Sequence, residues 1–142
     1  MRKGASWRSS ATLPSLIYDS AVDGMAAGTI QFASDSFRVM LVAGYTPSKD
    51  GHSSRADVTG EVSGSGYAAA MVAATVIADP ATDRTDIELG GATWPASTIS
   101  ASGAVYYTSS DELVCYVDFG GVISSLAGAF TLQPSTISIH NP

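Results

Sequence analysis

The chain has 142 residues, 45% of them hydrophobic and only 14% charged, where an ordinary globular protein has about 25% charged. That length suits one domain with a core of its own, and the hydrophobicity excludes an intrinsically disordered chain. Seven basic against thirteen acidic residues give a net charge of -6, which excludes the basic footprint of a nucleic-acid partner.

Three of the seven basic residues, Arg2, Lys3 and Arg8, fall in the first eight positions among Gly and Ser. Residues 1–12 read as an extended arm ahead of a single β-domain over residues 13–142. The stretch Leu13-Pro14-Ser15-Leu16-Ile17-Tyr18 is too short and broken for the apolar core of a secretion signal, and Asp19 and Asp23 follow at once. No run of about 18 apolar residues exists, so no membrane helix and no membrane partner are expected.

Leu16 to Ile30 is the one helix candidate, with Leu16, Ile17, Ala21, Met25 and Ala26 near helical spacing. Ser15 is the expected cap and Gly28 the expected stop. Strands and turns follow. Phe37–Val42 is apolar and β-branched, and Tyr45–Gly51 is loop chemistry ending in Asp-Gly. Ala56–Val62 alternates loosely, with Val58 and Val62 on one face. Ala68–Ala78 is helical by composition, but Val72, Thr75, Val76 and Ile77 tilt it to strand. Thr85–Leu89 alternates with Ile87 and Leu89 inward, and Gly90-Gly91 turns the chain. Ala104–Tyr107 and Leu113–Val117 form a hairpin, with Tyr106 and Tyr107 on opposite faces and one of them outward. Phe130–Leu132 and Thr136–Ile139 close the chain. Roughly eight short strands with a turn about every ten residues predict a mainly β, jelly-roll-like sandwich.

Chemistry is sparse. His52 lies between Asp50 and Ser53-Ser54 on one turn, without the G-x-S-x-G elbow of a hydrolase. His140 stands near the C-terminus. Cys115, the single cysteine, sits between Val114 and Val117 and reads as a small buried hydrophobe. Asp79, Asp83, Asp86 and Glu88 lack the spacing of a calcium loop, and one Cys with two distant His is no zinc set. Gly64-Ser65-Gly66 lacks the βαβ setting of a dinucleotide motif and reads as a turn or bulge. Trp94 before Pro95 is by default a core residue capping the sandwich. The residues propose no catalysis, no metal and no cofactor.

Several segments occur in a particular order: Phe37-Arg38-Val39-Met40-Leu41, Tyr45-Thr46-Pro47, Glu61 to Tyr67, Thr93 to Ile99, Ala104 to Tyr107, Tyr116-Val117-Asp118-Phe119-Gly120-Gly121 and Phe130-Thr131-Leu132. In that order, over about residues 15–135, the chain resembles the capsid decoration, or cement, proteins of tailed bacteriophages. The basic arm is not part of the shared pattern. The resemblance implies a structural virion protein, not an enzyme, made in the host cytoplasm and seated on the outer surface of an expanded HK97-type capsid. Its implied partners are the phage major capsid protein, whose neighbouring subunits it would bridge, and further copies of itself in a dimer or trimer. The expected contacts are Arg2, Lys3, Trp7 and Arg8 of the arm, Tyr45 and His52 of one loop and Trp94 of another. Self-association is expected through Tyr106, Tyr107 or Tyr116. The alternatives are a phage neck or tail ring component, and a carbohydrate-binding module stacking sugars on Trp94 and an outward tyrosine.

Overall fold

The computed structural model describes residues 13–140. The expected arm, with Arg2, Lys3, Trp7 and Arg8, lies outside the described residues. Along the chain come β1 (Leu16–Ile17), α1 (Asp19–Ala27), β2 (Phe37–Val42), a 3-10 turn at Arg55–Asp57, β3 (Ala70–Val72) and β4 (Ala74–Asp79). They are followed by β5 (Arg84–Leu89), β6 (Ala92–Thr108), β7 (Leu113–Leu132) and β8 (Ser135–His140). Among the described residues the protein is mostly β with one short helix, as its sequence predicts. Its antiparallel strands form a five-stranded sheet, β1-β7-β6-β2-β3, and a three-stranded sheet, β4-β5-β8. One core joins the two sheets: Phe37, Val39, Leu41, Tyr106 and Val114 of the first belong to the same buried cluster as Ile87, Leu89 and Ile137 of the second.

The helix is shorter than its apolar spacing predicts. Leu16 and Ile17 pair with Tyr116 and Cys115 as a strand, and the amides of Ser15 and Tyr18 donate to the carbonyls of Tyr116 and Val114. Pairing on an exposed sheet edge outweighs local helical spacing there. Ser15 therefore does not cap the helix; its Oγ accepts from the Asp118 amide, and Tyr18 stands at the N-cap. Gly28 ends the helix as expected. Ala56–Val62 is not a strand. Its start is the 3-10 turn, and Glu61 makes only an isolated bridge to Val42. Ala68–Ala78 is extended, divided into β3 and β4, each in a different sheet.

The expected hairpin is far longer than the sequence suggests, with 17 residues in β6 and 20 in β7. Its halves differ. From Ala104↔Val117 to the turn, both strands are deep in the core. Between Ala101↔Ile123 and Gly103↔Asp118, two steps on β6 match five on β7. The surplus residues form a bulge around Gly120, whose amide donates to Asp118 Oδ1. Beyond the bulge the hairpin continues to Ala92↔Leu132.

Gly64-Ser65-Gly66 lies against this outer half. A Cβ on Gly64 would stand 2.1 Å from the Thr98 carbonyl oxygen, and one on Gly66 2.2 Å from that of Ala96. The Thr98 amide donates to the Ser65 carbonyl at 2.9 Å. The glycines serve close backbone approach, which clamps this loop along β6.

Candidate functional site: an uncharged hairpin ribbon

The outer half of β6 has one covered face. Trp94, Ser97, Ile99 and Ala101 are buried, while the residues between them are exposed. Beneath them, ring contacts run from Tyr67 to Trp94 to Phe130 to Phe119, with centroids 5.8, 6.1 and 6.3 Å apart. The outer half of β7 is different. Almost everything from Asp118 to Ala129 is exposed, including Val122 (69%), Ile123 (51%) and Leu126 (85%). No charged side chain occurs between Phe119 and Ile139. Serines stitch the ribbon together: Ser97 Oγ to Ser125 Oγ at 2.9 Å, and Ser100 Oγ to Ser124 Oγ at 2.8 Å. Beside it, Leu13, Val117, Phe119, Ile123, Phe130 and Leu132 line an open apolar groove of about 300 Å3. This exposed, uncharged apolar surface makes the ribbon the candidate interaction site.

A second cluster lies at the opposite end of the hairpin. The Tyr18 and Tyr45 hydroxyls are 2.8 Å apart, and Tyr45 Oη is 2.8 Å from His52 Nδ1. The Ser48 amide also donates to His52 Nδ1 at 3.1 Å. That nitrogen is therefore an acceptor and carries no proton, so Tyr45 donates to His52 and Tyr18 donates to Tyr45. Burial, followed by the hydrogen bond to Tyr45, pushes the Tyr18 phenol far above its ordinary range. Asp57 accepts from the amides of Ser53 and Ser54, which holds its carboxyl below the ordinary range. Arg55 reaches Glu61 at 2.8 Å, and its guanidinium lies 5.5 Å over the Tyr107 ring. These contacts tie residues 45–57 to the sheet.

The expected contact residues fall differently. Tyr45 (6% exposed) and Trp94 (5%) are core residues, and His52 is half-buried. Trp94 caps the core as its default reading predicts, and its Nε1 donates to the Ala68 carbonyl at 2.8 Å. Its ring offers no platform for a sugar and no contact for a shell. Residues 94–98 belong to β6 and are not a loop. Tyr106 and Tyr107 are both buried, since the five-stranded sheet is covered on both faces here: Tyr106 Oη donates to the Gly90 carbonyl, and Arg55 lies over Tyr107. Tyr116 packs edge-on against Tyr45 at 5.7 Å. The three tyrosines proposed for self-association are thus inside the protomer. Cys115 is fully buried, and burial pushes its thiol far above the ordinary range, the reverse of what a nucleophile requires. Asp79 and Asp86 approach Arg84 at 3.6 and 3.0 Å. Among the described residues no three His, Cys, Asp or Glu side chains gather as metal ligands, and no helix is long and apolar enough to cross a membrane.

Sequence reasoning passed over Val122, Ile123 and Leu126. The available signal was the absence of charge after Asp118 in a stretch that also carries valine, isoleucine and leucine. Comparison with known proteins returns no matching family model, no matching characterised sequence and no matching solved structure.

Proposed function

We propose that this protein is a structural interaction module that decorates and stabilises a tailed-phage capsid by bridging neighbouring major capsid protein subunits. The observation that carries the reading is the β6–β7 ribbon. Its charge-free surface, with Val122, Ile123 and Leu126 exposed, can be buried against another protein without desolvating an ionised group. The ordered segments that resemble cement proteins supply the identity of that other protein. A ribbon of paired strands, stitched by serine pairs and clamped by the residue 64–66 loop, presents a fixed shape, which limits the entropy lost on docking. Weak contacts of this kind gain strength when repeated over a symmetric shell.

Co-sedimentation with expanded capsids stripped of decoration tests the reading. Saturation at hundreds of copies per shell is the expected result. Leu126→Asp, at a side chain 85% exposed, should abolish pelleting while leaving the melting temperature unchanged. A wild-type chain that does not pellet refutes the capsid reading. About a dozen copies at a single vertex would replace it with a neck or tail ring component.

A further inference from the structure

The three-stranded sheet leaves β4 open. No described strand pairs with its outer side. Edge strands are usually blunted by charge, proline or a bulge; β4 has no proline and no bulge, and its one charged residue is Asp79 at its C-terminal end, beside Arg84. Its pairing with β5 keeps one register from Ala74↔Leu89 to Asp79↔Arg84. No charged side chain occurs from Val62 to Ala78, and Pro80 comes only after the strand has ended. Thr75, Val76, Ile77 and Ala78 are exposed, Val76 at 45% and Ile77 at 47%.

The hydrogen-bonding direction of this edge follows from its neighbour. The Ala73 carbonyl accepts from the Gly90 amide at 2.8 Å, a pair in the same register as the rest of β4–β5. Antiparallel ladders alternate, so odd-numbered residues of β4 face β5. The N–H and C=O groups of Ala74, Val76 and Ala78 therefore point to the open side.

We infer that β4 is a self-association surface, pairing antiparallel with β4 of a second copy about a two-fold axis at Val76. This inference goes beyond the capsid reading and does not depend on it. An antiparallel two-fold pairs each residue with one of equal parity. The axis at Val76 sets Val76 opposite the partner's Val76 and Ala74 opposite the partner's Ala78. All three outward residues then exchange both of their hydrogen bonds, six in all about the axis. An axis at Ile77 would leave the outward groups of Ala74 unmatched within the strand. The chosen register also sets Thr75 beside the partner's Ile77, a β-branched cross-strand pair on each side.

The edge is self-complementary in hydrogen bonding, and charge admits a second copy there. A chain of net charge -6 repels itself on most of its surface, yet this edge brings no carboxylates face to face. The acidic side chains on the outer face are Asp79, at the end of β4 beside Arg84, Asp86, beside Ile77, and Glu88, beside Thr75. Across the dimer, Asp79 and the partner's Glu88 are two strand spacings and two residues apart, roughly 12 Å, and Asp86 and the partner's Glu88 three strand spacings, roughly 14 Å. Both exceed the Debye length of about 8 Å at physiological salt. The result is a continuous six-stranded sheet in which both protomers keep their inner faces on the same side.

Sedimentation equilibrium of the full chain tests the inference, with amide exchange read at Ala74, Val76 and Ala78. A dimer with these three amides protected is expected. Val76→Lys and Val76→Glu should each raise the dissociation constant about a hundredfold by placing like charges together on the axis. An equimolar mixture of the two should recover a heterodimer, which a variant that merely misfolds cannot do. Near-ultraviolet circular dichroism of each variant checks the fold. A monomeric wild-type chain overturns the inference, and protected β4 amides in that monomer would place another segment of the same chain on the edge. A trimer, or dimers indifferent to both substitutions, would overturn it equally.

Discussion

The clamp of residues 64–66 on β6 can be measured by comparing two glycines. Gly44 and Gly66 share a left-handed backbone, with φ of +73° and +79°. Only their surroundings differ: a Cβ on Gly44 meets nothing within 4 Å, while one on Gly66 stands 2.2 Å from the Ala96 carbonyl oxygen. Gly44→Ala should therefore cost only the conformational term, about 1 kcal/mol. Gly66→Ala carries the same term and must also move the loop by about 1 Å to reach ordinary contact. That movement breaks the Thr98 amide bond to the Ser65 carbonyl and loosens the Trp94 Nε1 bond to the Ala68 carbonyl. At about 1 kcal/mol for each bond, the total is about 3 kcal/mol. For a chain of this length that corresponds to a melting temperature about 9 °C lower, against about 3 °C for Gly44→Ala. Urea unfolding followed by circular dichroism gives both values on one scale. If the two variants lie within about 0.5 kcal/mol of each other, the loop does not clamp the hairpin, and the rigidity attributed to the ribbon is lost with it.

Three other expectations follow from buried groups. Cys115 should resist alkylation in the native state and react at the rate of global unfolding, measured by mass spectrometry across a urea series; rapid native labelling would contradict its burial. Burial raises the Tyr18, Tyr67 and Tyr106 phenols well above their ordinary value. Their stabilisation is therefore complete below about pH 10, the unfolded value, and falls as pH rises beyond it. Urea midpoints should decline as pH rises through the unfolded values, about 8.5 for the buried Cys115 and about 10 for the tyrosines, and a flat profile through strong alkali would refute this. Tyr45→Phe leaves the fully buried Tyr18 hydroxyl without its partner and should cost about 1–3 kcal/mol. Tyr18→Phe/Tyr45→Phe should cost less than the sum of the single changes, and strict additivity would deny the coupling.

The β class, the helix stop at Gly28 and the hairpin around residues 109–112 were legible because each is locally encoded. Ile87 and Leu89 alternate with polar neighbours, and turn residues stand where turns occur. What was not legible depends on pairing at a distance. Leu16 and Ile17 satisfy a helical pattern but become a strand on the edge of β7. Tyr106 and Tyr107 obey the alternation that sends one tyrosine to each face, but alternation does not say that both faces are covered. The contacts expected on aromatic grounds, Tyr45, Trp94 and Tyr116, share that failing: an aromatic anchor for a partner and one for the core have the same composition. The ribbon escaped notice for the opposite reason. Phe119 to Phe130 is rich in Gly, Ser and Ala, which reads as turn chemistry, and its strand character comes from registry with Ser97–Ala101.

The two proposed surfaces share no residue, and this has a consequence for avidity. Self-pairing uses Ala74–Ala78, whereas the ribbon uses Val122–Leu126, so a dimer would keep two ribbons free. Bivalent engagement strengthens binding by about 10²–10⁴ over a single contact when both sites can be reached together. Val76→Lys should then weaken binding to capsids by about a hundredfold or more without touching the ribbon. Leu126→Asp should abolish it while the dimer persists. In the mixture of Val76→Lys with Val76→Glu, capsid binding should return together with the heterodimer. Binding by Val76→Lys at wild-type strength would mean that the shell is held by single protomers, with self-association serving some other contact.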